Sequence, residues 1–118
     1  MRGCKTIKTV RGYCMGKNYP EVEIMHNRVI GSPKGGITSV SVYISEGCVI
    51  RAYSFCWQFE TYNKKKGKSI AFGRLMRAID QLGLSKSKTK KLYAFTKEKV
   101  GTIDERLFNL ARAGEKIE

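Results

Sequence analysis

The segment from Tyr62 to Ser69 contains the residue types best suited to binding an anion. It places Lys64-Lys65-Lys66 directly before Gly67-Lys68-Ser69, and those last three residues match the end of a P-loop, which holds nucleotide phosphates. A P-loop also needs a glycine five residues before its Gly-Lys pair, and Tyr62 occupies that position. The segment therefore does not predict a nucleoside-triphosphate site. Free backbone N–H groups at a lysine-rich helix start still favour binding of an anion. The alternative interpretation is a solvated helix start whose lysines increase solubility.

Positive charge is concentrated in residues 61–100. This stretch has twelve lysines and arginines against Asp80 and Glu98, which gives +10 of the formal net charge of +13. Such a concentration attracts polyanions, and neutralising phosphates is the main sequence-independent contribution to nucleic-acid binding. We therefore expect RNA, DNA or an acidic protein as the partner. The predicted binding residues are Lys64, Lys65, Lys66, Lys68, Arg74, Arg77, Lys86, Lys88, Lys90 and Lys91.

No group of residues predicts catalysis or a cofactor. His26 is the only histidine, and the carboxylates of the first sixty residues form no acid–base constellation with it. The cysteines, Cys4, Cys14, Cys48 and Cys56, have nine and seven residues between the members of each pair, which is not zinc-knuckle spacing. The sequence predicts a non-enzymatic protein with free thiols, no metal and no cofactor. A four-cysteine site or a disulfide assembled in space is the alternative.

Length and hydropathy favour one domain. With 118 residues, 42% of them hydrophobic, the chain is long enough to bury an apolar core without metal or disulfide. Its apolar stretches are far shorter than the roughly 20 residues of a membrane span. The start of the sequence is positively charged but lacks the apolar region of a signal peptide. We therefore expect a cytoplasmic protein with no membrane partner.

The first sixty residues have the patterns of β-strands. From Ile37, apolar and polar residues alternate as in a half-buried strand, Glu46-Gly47 marks a turn, and Cys48 to Phe59 continues the alternation. These runs predict a β-hairpin. Shorter strands are expected within Glu21 to Ile30 and within Lys5 to Cys14.

Four aromatic residues alternate along the second hairpin strand: Tyr53, Phe55, Trp57 and Phe59. They could form a base-stacking platform. A small domain also needs a large apolar face beneath its helices, and we expect these four residues to supply it.

The remaining residues have helical periodicity. Phe72, Leu75, Met76, Ile79 and Leu82 form the apolar stripe of a helix that begins near Lys65 and ends at Gly83. A second helix is predicted from Ser85 or Ser87 to about Lys99. A third is predicted to open with Thr102 to Glu105 as a capping box. The order of elements indicates an α+β domain: an antiparallel sheet of three to four strands in residues 1–60, and two to three helices in residues 61–118 on one face.

The stretch from Asn63 to Leu75 contains the run Lys-Lys-x-Gly-Lys-x-Ile-Ala-x-Gly-Arg. It resembles a run found in small, mostly uncharacterised bacteriophage proteins and covers about a tenth of the chain. The resemblance implies a phage or prophage origin, location in the host cytoplasm, and a role in host takeover or in countering host defence. It implies no catalytic residues. Gly73 within this helix costs up to about 1 kcal/mol relative to alanine, so we expect close packing there, against the sheet or a partner.

Two functional hypotheses follow. The first is a non-enzymatic protein that binds RNA or DNA through a lysine- and arginine-rich helical surface. The second is a phage inhibitor, similar to an anti-CRISPR protein, that docks its basic helices on a host defence or nucleic-acid-processing protein. A basic structural subunit is a third hypothesis, which extended basic arms would favour and the periodic apolar stripes oppose.

Overall fold

Strands come first and helices second in the computed structural model, which describes residues 4–9 and 20–117, with side chains described from Pro20 to Ile117. Four strands form an antiparallel sheet in the order β1-β4-β3-β2, and three helices follow. The predicted α+β class is confirmed. The elements are β1 (Cys4–Thr9), β2 (Glu21–Arg28), β3 (Lys34–Ser45), β4 (Cys48–Thr61), α1 (Lys64–Asp80), α2 (Lys86–Val100) and α3 (Glu105–Ala113).

A β-bulge near the turn of the β3–β4 hairpin decides which face of β4 meets the helices. Ser45 pairs with Cys48, but the next pair is Tyr43 with Val49, so Ile44 is an extra residue on β3. Beyond the bulge, Val42 pairs with Ile50. Directly paired residues share a face, and a shift of one residue exchanges the faces of a strand. The bulge therefore brings the face of β4 that carries Ile50 under the helices.

The core lies between this face of the sheet and α1. The apolar stripe predicted for α1 is confirmed, with Leu82 half-buried beyond the helix end. Burial of these side chains is the main stabilising contribution to the fold. The central core residues are Val40 and Val42 of β3, Ile50 and Ala52 of β4, and Phe72, Leu75, Met76 and Ile79 of α1.

Helix α3 packs closely against α1 at Gly73. A Cβ atom at this position would lie 2.5 Å from both the Cβ of Ala111 and the carbonyl oxygen of Phe108. The close packing expected at Gly73 is therefore with α3 and not with the sheet. The rings of Phe72, Tyr93 of α2 and Phe108 of α3 contact one another, with centroids 4.7 to 5.8 Å apart. This aromatic cluster joins the three helices.

The start of α3 corrects one prediction. The N-cap is Asp104, whose carboxylate accepts hydrogen bonds from the backbone N–H groups of Arg106 and Leu107 at 3.0 and 3.3 Å. Thr102 lies outside the helix, so the predicted capping box does not form. An aspartate carries a full charge next to the helix dipole, which makes it a strong N-cap.

Cys48 and Cys56 are free thiols at the two ends of one pairing segment of β4. Eight residue steps along the strand separate them by about 26 Å, so they cannot pair with each other within the chain. The side chains of Cys4 and Cys14 lie outside the described residues. No helix between residues 20 and 117 is long and apolar enough to cross a bilayer.

Candidate functional site

The first turn of α1 presents lysines to solvent beside the end of β4. Only Tyr62 and Asn63 connect the two elements, and the Asn63 side-chain oxygen caps the helix by accepting from the backbone N–H of Lys66 at 3.0 Å. Lys64 and Lys65 are exposed and Lys66 is half-buried. We call Lys64, Lys65 and Lys66 the α1 lysine cluster.

Three of the predicted binding residues hold backbone groups of the protein itself. Lys68 Nζ donates to the carbonyl oxygen of Val100 at 2.8 Å, and Arg74 Nη1 donates to that of Tyr53 at 3.0 Å. Arg77 Nη1 donates to the carbonyl oxygen of Arg112 at 3.4 Å. These cations connect elements of the fold, so fewer of their N–H groups are available to a ligand.

The other predicted lysines lie on α2, and we call Lys86, Lys88, Lys90 and Lys91 the α2 lysine cluster. All four are exposed. The contact between Lys68 and Val100 places the end of α2 beside the start of α1, so the start of α2 lies near the end of α1. The two lysine clusters are therefore separated by roughly the length of α1, on the order of 20 Å.

No carboxylate among residues 20–117 forms an ion pair with either lysine cluster. Within residues 20–117, the one ion pair is between Arg112 and Asp80 at 2.9 Å, and it involves neither cluster. Uncompensated charges of one sign produce a positive potential that attracts anions.

A cavity of about 260 Å³ opens between β4 and the start of α1. The described part of β1 pairs with β4 only from Cys48 to Ala52, and the cavity lining on β4 begins at Ser54. The cavity thus lies beyond the part of β4 that pairs with Cys4–Thr9. Its wall on α1 includes Lys66 and Arg74, and its wall on β4 includes Phe55 and Trp57.

The aromatic residues of β4 lie on the face of the sheet away from the helices, which corrects the expectation that they form the core. Trp57 is 68% exposed, Phe59 72% and Phe55 51%. The helix-facing side of β4 carries the smaller residues Ala52 and Ser54, which are buried. The ring of Tyr53 stacks on that of Phe55 with centroids 6.3 Å apart. The result is an aromatic surface that continues to the mouth of the cavity.

Trp57 owes its position to an irregularity in strand pairing. Gly36 pairs with Cys56, but the next pair is Lys34 with Thr61, so Trp57 to Glu60 oppose the single residue Gly35. A Cβ at Gly35, where φ is +80°, would lie 3.3 Å from Gln58 Cα. Trp57 and Phe59 project outward from this bulged segment, and Trp57 lines the cavity together with Lys66 of the α1 lysine cluster.

A polar cluster lies at the back of the cavity. His26 Nδ1 is 2.9 Å from the Tyr62 hydroxyl and 3.2 Å from that of Thr38, and both Thr38 of β3 and Tyr62 of the β4–α1 connection line the cavity. Burial lowers the pKa of His26, and the positive charges of Lys64 and Lys68 lower it further. The imidazole is therefore neutral at physiological pH and adds no charge to the site.

Neither the cavity nor the exposure of the aromatic residues is predicted by the sequence patterns. The exposure depends on strand pairing, through the bulge at Ile44, and the cavity depends on the packing of α1 beside β4. The available signal was the unusually apolar character of both faces of Cys48 to Phe59, since only one of them can meet the helices. Among the described residues, no group of histidine, cysteine, aspartate or glutamate side chains could hold a metal ion.

No family model, curated protein or solved structure matches this chain.

Proposed function

We propose that the protein is a non-enzymatic nucleic-acid-binding protein that neutralises backbone phosphates with the α1 lysine cluster. The observation that carries this proposal is the position of three lysines without ion-pair partners within residues 20–117, beside exposed aromatic rings and a cavity. Lysine–phosphate contacts release condensed counterions and so supply binding free energy independent of sequence.

The α1 lysine cluster is the better candidate for the primary contact. The α2 lysine cluster has the same type of charge, but none of its lysines lines this cavity or the neighbouring depression around Lys66. Lys66 also lines a second depression together with Arg106 and Lys116, which extends the positive surface toward α3. The α2 lysine cluster would then add long-range attraction, which raises the association rate more than the affinity.

A matched pair of double variants tests this proposal. Lys64→Gln/Lys65→Gln and Lys90→Gln/Lys91→Gln each remove two exposed charges from a helix, and they leave the net charge equal. Fluorescence anisotropy with a labelled oligonucleotide, on protein freed of its own nucleic acid, should show a larger loss of affinity for the first variant. Equal losses would mean that net charge alone drives binding, and no binding by the unmodified protein at low salt would refute the proposal.

A protein partner is the second candidate function. Exposed Trp57 and Phe59 favour it, because aromatic residues are enriched in protein interfaces. In this case the basic surface would dock on a host protein that itself binds nucleic acid or acts in defence. Failure to bind any nucleic acid at low salt, together with a stable complex with one such protein, would support it.

A further inference from the structure

We infer that the site binds single-stranded nucleic acid, with an unpaired base stacked on Trp57 at the mouth of the cavity. This inference rests on the proposed function and adds the class of ligand. Duplexes keep the faces of their bases inside the stack, whereas single strands expose them to aromatic side chains. Contacts to phosphates alone would not distinguish a single strand from a duplex.

The exposure of Trp57 and Phe59 is the first argument. Both project from a bulged segment of β4 that is held by backbone geometry at Gly35, and each is more than two-thirds exposed. Placing large rings in water forgoes the stabilisation that their burial would give. Phe55, which stacks on Tyr53, extends the surface along the strand by one further ring.

The cavity supplies the second argument. Its volume of about 260 Å³ falls just below the range of about 300–1,000 Å³ typical of pockets for drug-sized molecules. It is therefore suited to one planar ring system and not to a large ligand. Phe55 and Trp57 provide apolar contact, and the side chains of Ser54, Thr61 and Asn63 provide polar groups for the edge of a base.

Charge complementarity gives the third argument. Lys66 and Arg74 line the cavity, and Lys64 and Lys65 lie in the same helical turn as Lys66. A base stacked at the cavity mouth would leave its flanking phosphates beside these cations. Basic grooves next to aromatic rings are the usual arrangement in proteins that bind single strands without strong sequence preference.

The fluorescence of Trp57 provides a direct test, because this is the only tryptophan of the chain. Titration with a thymine oligonucleotide should quench the emission, since a base stacked on the indole contacts the emitting ring. Inorganic polyphosphate has the charge without the bases, so it should bind with little quenching. A duplex of equal length should bind more weakly than the single strand, and parallel titrations with uracil oligonucleotides identify any preference for RNA.

Variants separate stacking from charge. Trp57→Ala should weaken binding of the thymine oligonucleotide on the order of tenfold and leave binding of polyphosphate unchanged, while Trp57→Phe should retain most of the affinity. Phe95→Ala is the matched control, because Phe95 is an exposed aromatic residue on α2 outside the cavity lining. It should have no effect.

Three results would overturn the inference. Equal affinity for single strand and duplex, with no loss in Trp57→Ala, would refute stacking and leave the proposed electrostatic function intact. Absence of binding to any polyanion would refute both. Concentration-dependent self-association that Trp57→Ala abolishes, measured by analytical ultracentrifugation, would assign the aromatic surface to a second copy of the chain.

Discussion

Gly67 of α1 lies directly against Thr38 of β3. A Cβ atom at position 67 would overlap the Thr38 hydroxyl oxygen and lie 3.0 Å from the Thr38 Cβ. Thr38 is buried, and its hydroxyl is hydrogen-bonded to that of Tyr62 at 2.5 Å. The absence of a side chain at Gly67 thus lets the lysine-rich start of α1 approach the sheet.

Gly67→Ala should therefore destabilise the protein by about 1–3 kcal/mol, the usual cost of overpacking a tight contact. In an exposed helix the same change would stabilise by about 1 kcal/mol. Chemical denaturation of Gly67→Ala, Thr38→Ala and the double variant forms a cycle that isolates this contact. If Gly67→Ala lowered the free energy of unfolding as much in the Thr38→Ala background, the contact between position 67 and Thr38 would not be the cause of the destabilisation.

Trp57→Ala should change the free energy of unfolding by less than about 1 kcal/mol, because exposed positions outside special structural features tolerate substitution. Phe72→Ala should cost about 3–5 kcal/mol, because Phe72 is fully buried and contacts both Tyr93 and Phe108. Urea denaturation monitored by circular dichroism compares the two variants, because Trp57→Ala lacks the tryptophan that a fluorescence measurement would need. A large loss of unfolding free energy in Trp57→Ala would show that Trp57 belongs to the core.

Most of the fold could be predicted from the sequence, because the signals are local. The stripe from Phe72 to Ile79 has helical spacing, and the alternation from Ile37 to Phe59 broken by Glu46-Gly47 has hairpin spacing. The orientation of β4 could not be predicted. A regular two-residue turn would pair Val42 with Arg51 and place the aromatic face in the core, and the bulge at Ile44 reverses this.

The candidate site was predictable only in its charge. The lysines at the start of α1 follow from the sequence, but their proximity to Trp57 depends on the bulge at Gly35 and on the packing of α1 beside β4. The internal contacts of Lys68, Arg74 and Arg77 are also tertiary. Charge density does not reveal which cations hold the fold and which face solvent.

Stability should fall in mild acid because of His26. Its pKa is lowered in the folded state, by burial and then by Lys64 and Lys68, while the unfolded chain has the ordinary value of about 6.5. Below this pH the unfolded state binds the proton more readily, so the contribution of neutral His26 to stability is present above pH about 6.5 and is lost as the pH falls toward the folded-state pKa.

Urea midpoints of the unmodified protein and His26→Gln, compared at about pH 7.5 and pH 5, measure this contribution. The variant keeps a polar side chain near the hydroxyls of Thr38 and Tyr62 and cannot titrate. We expect a smaller decrease in acid for His26→Gln. Identical decreases would assign the acid sensitivity to carboxylates elsewhere.

Among residues 20–117, Glu60 is the one carboxylate in the cavity lining, and it should oppose binding of a polyanion. Glu60→Gln is therefore expected to tighten binding of a single-stranded oligonucleotide, and more strongly at low salt. Glu46→Gln is the matched control, because Glu46 lies in the β3–β4 turn and its loss changes the net charge equally. An equal gain in both variants would show that net charge, not the cavity, governs affinity.

The salt dependence of affinity tests the central claim most directly. For single strands, the slope of log K against log salt concentration is about −0.7 for each phosphate neutralised. Contacts from the three residues of the α1 lysine cluster predict a slope of about −2 or steeper for the unmodified protein. In Lys64→Gln/Lys65→Gln the slope should become shallower by about 1.4. In Lys90→Gln/Lys91→Gln it should change less. An affinity that does not change with salt, or a slope that only the α2 variant reduces, would contradict the assignment of this site.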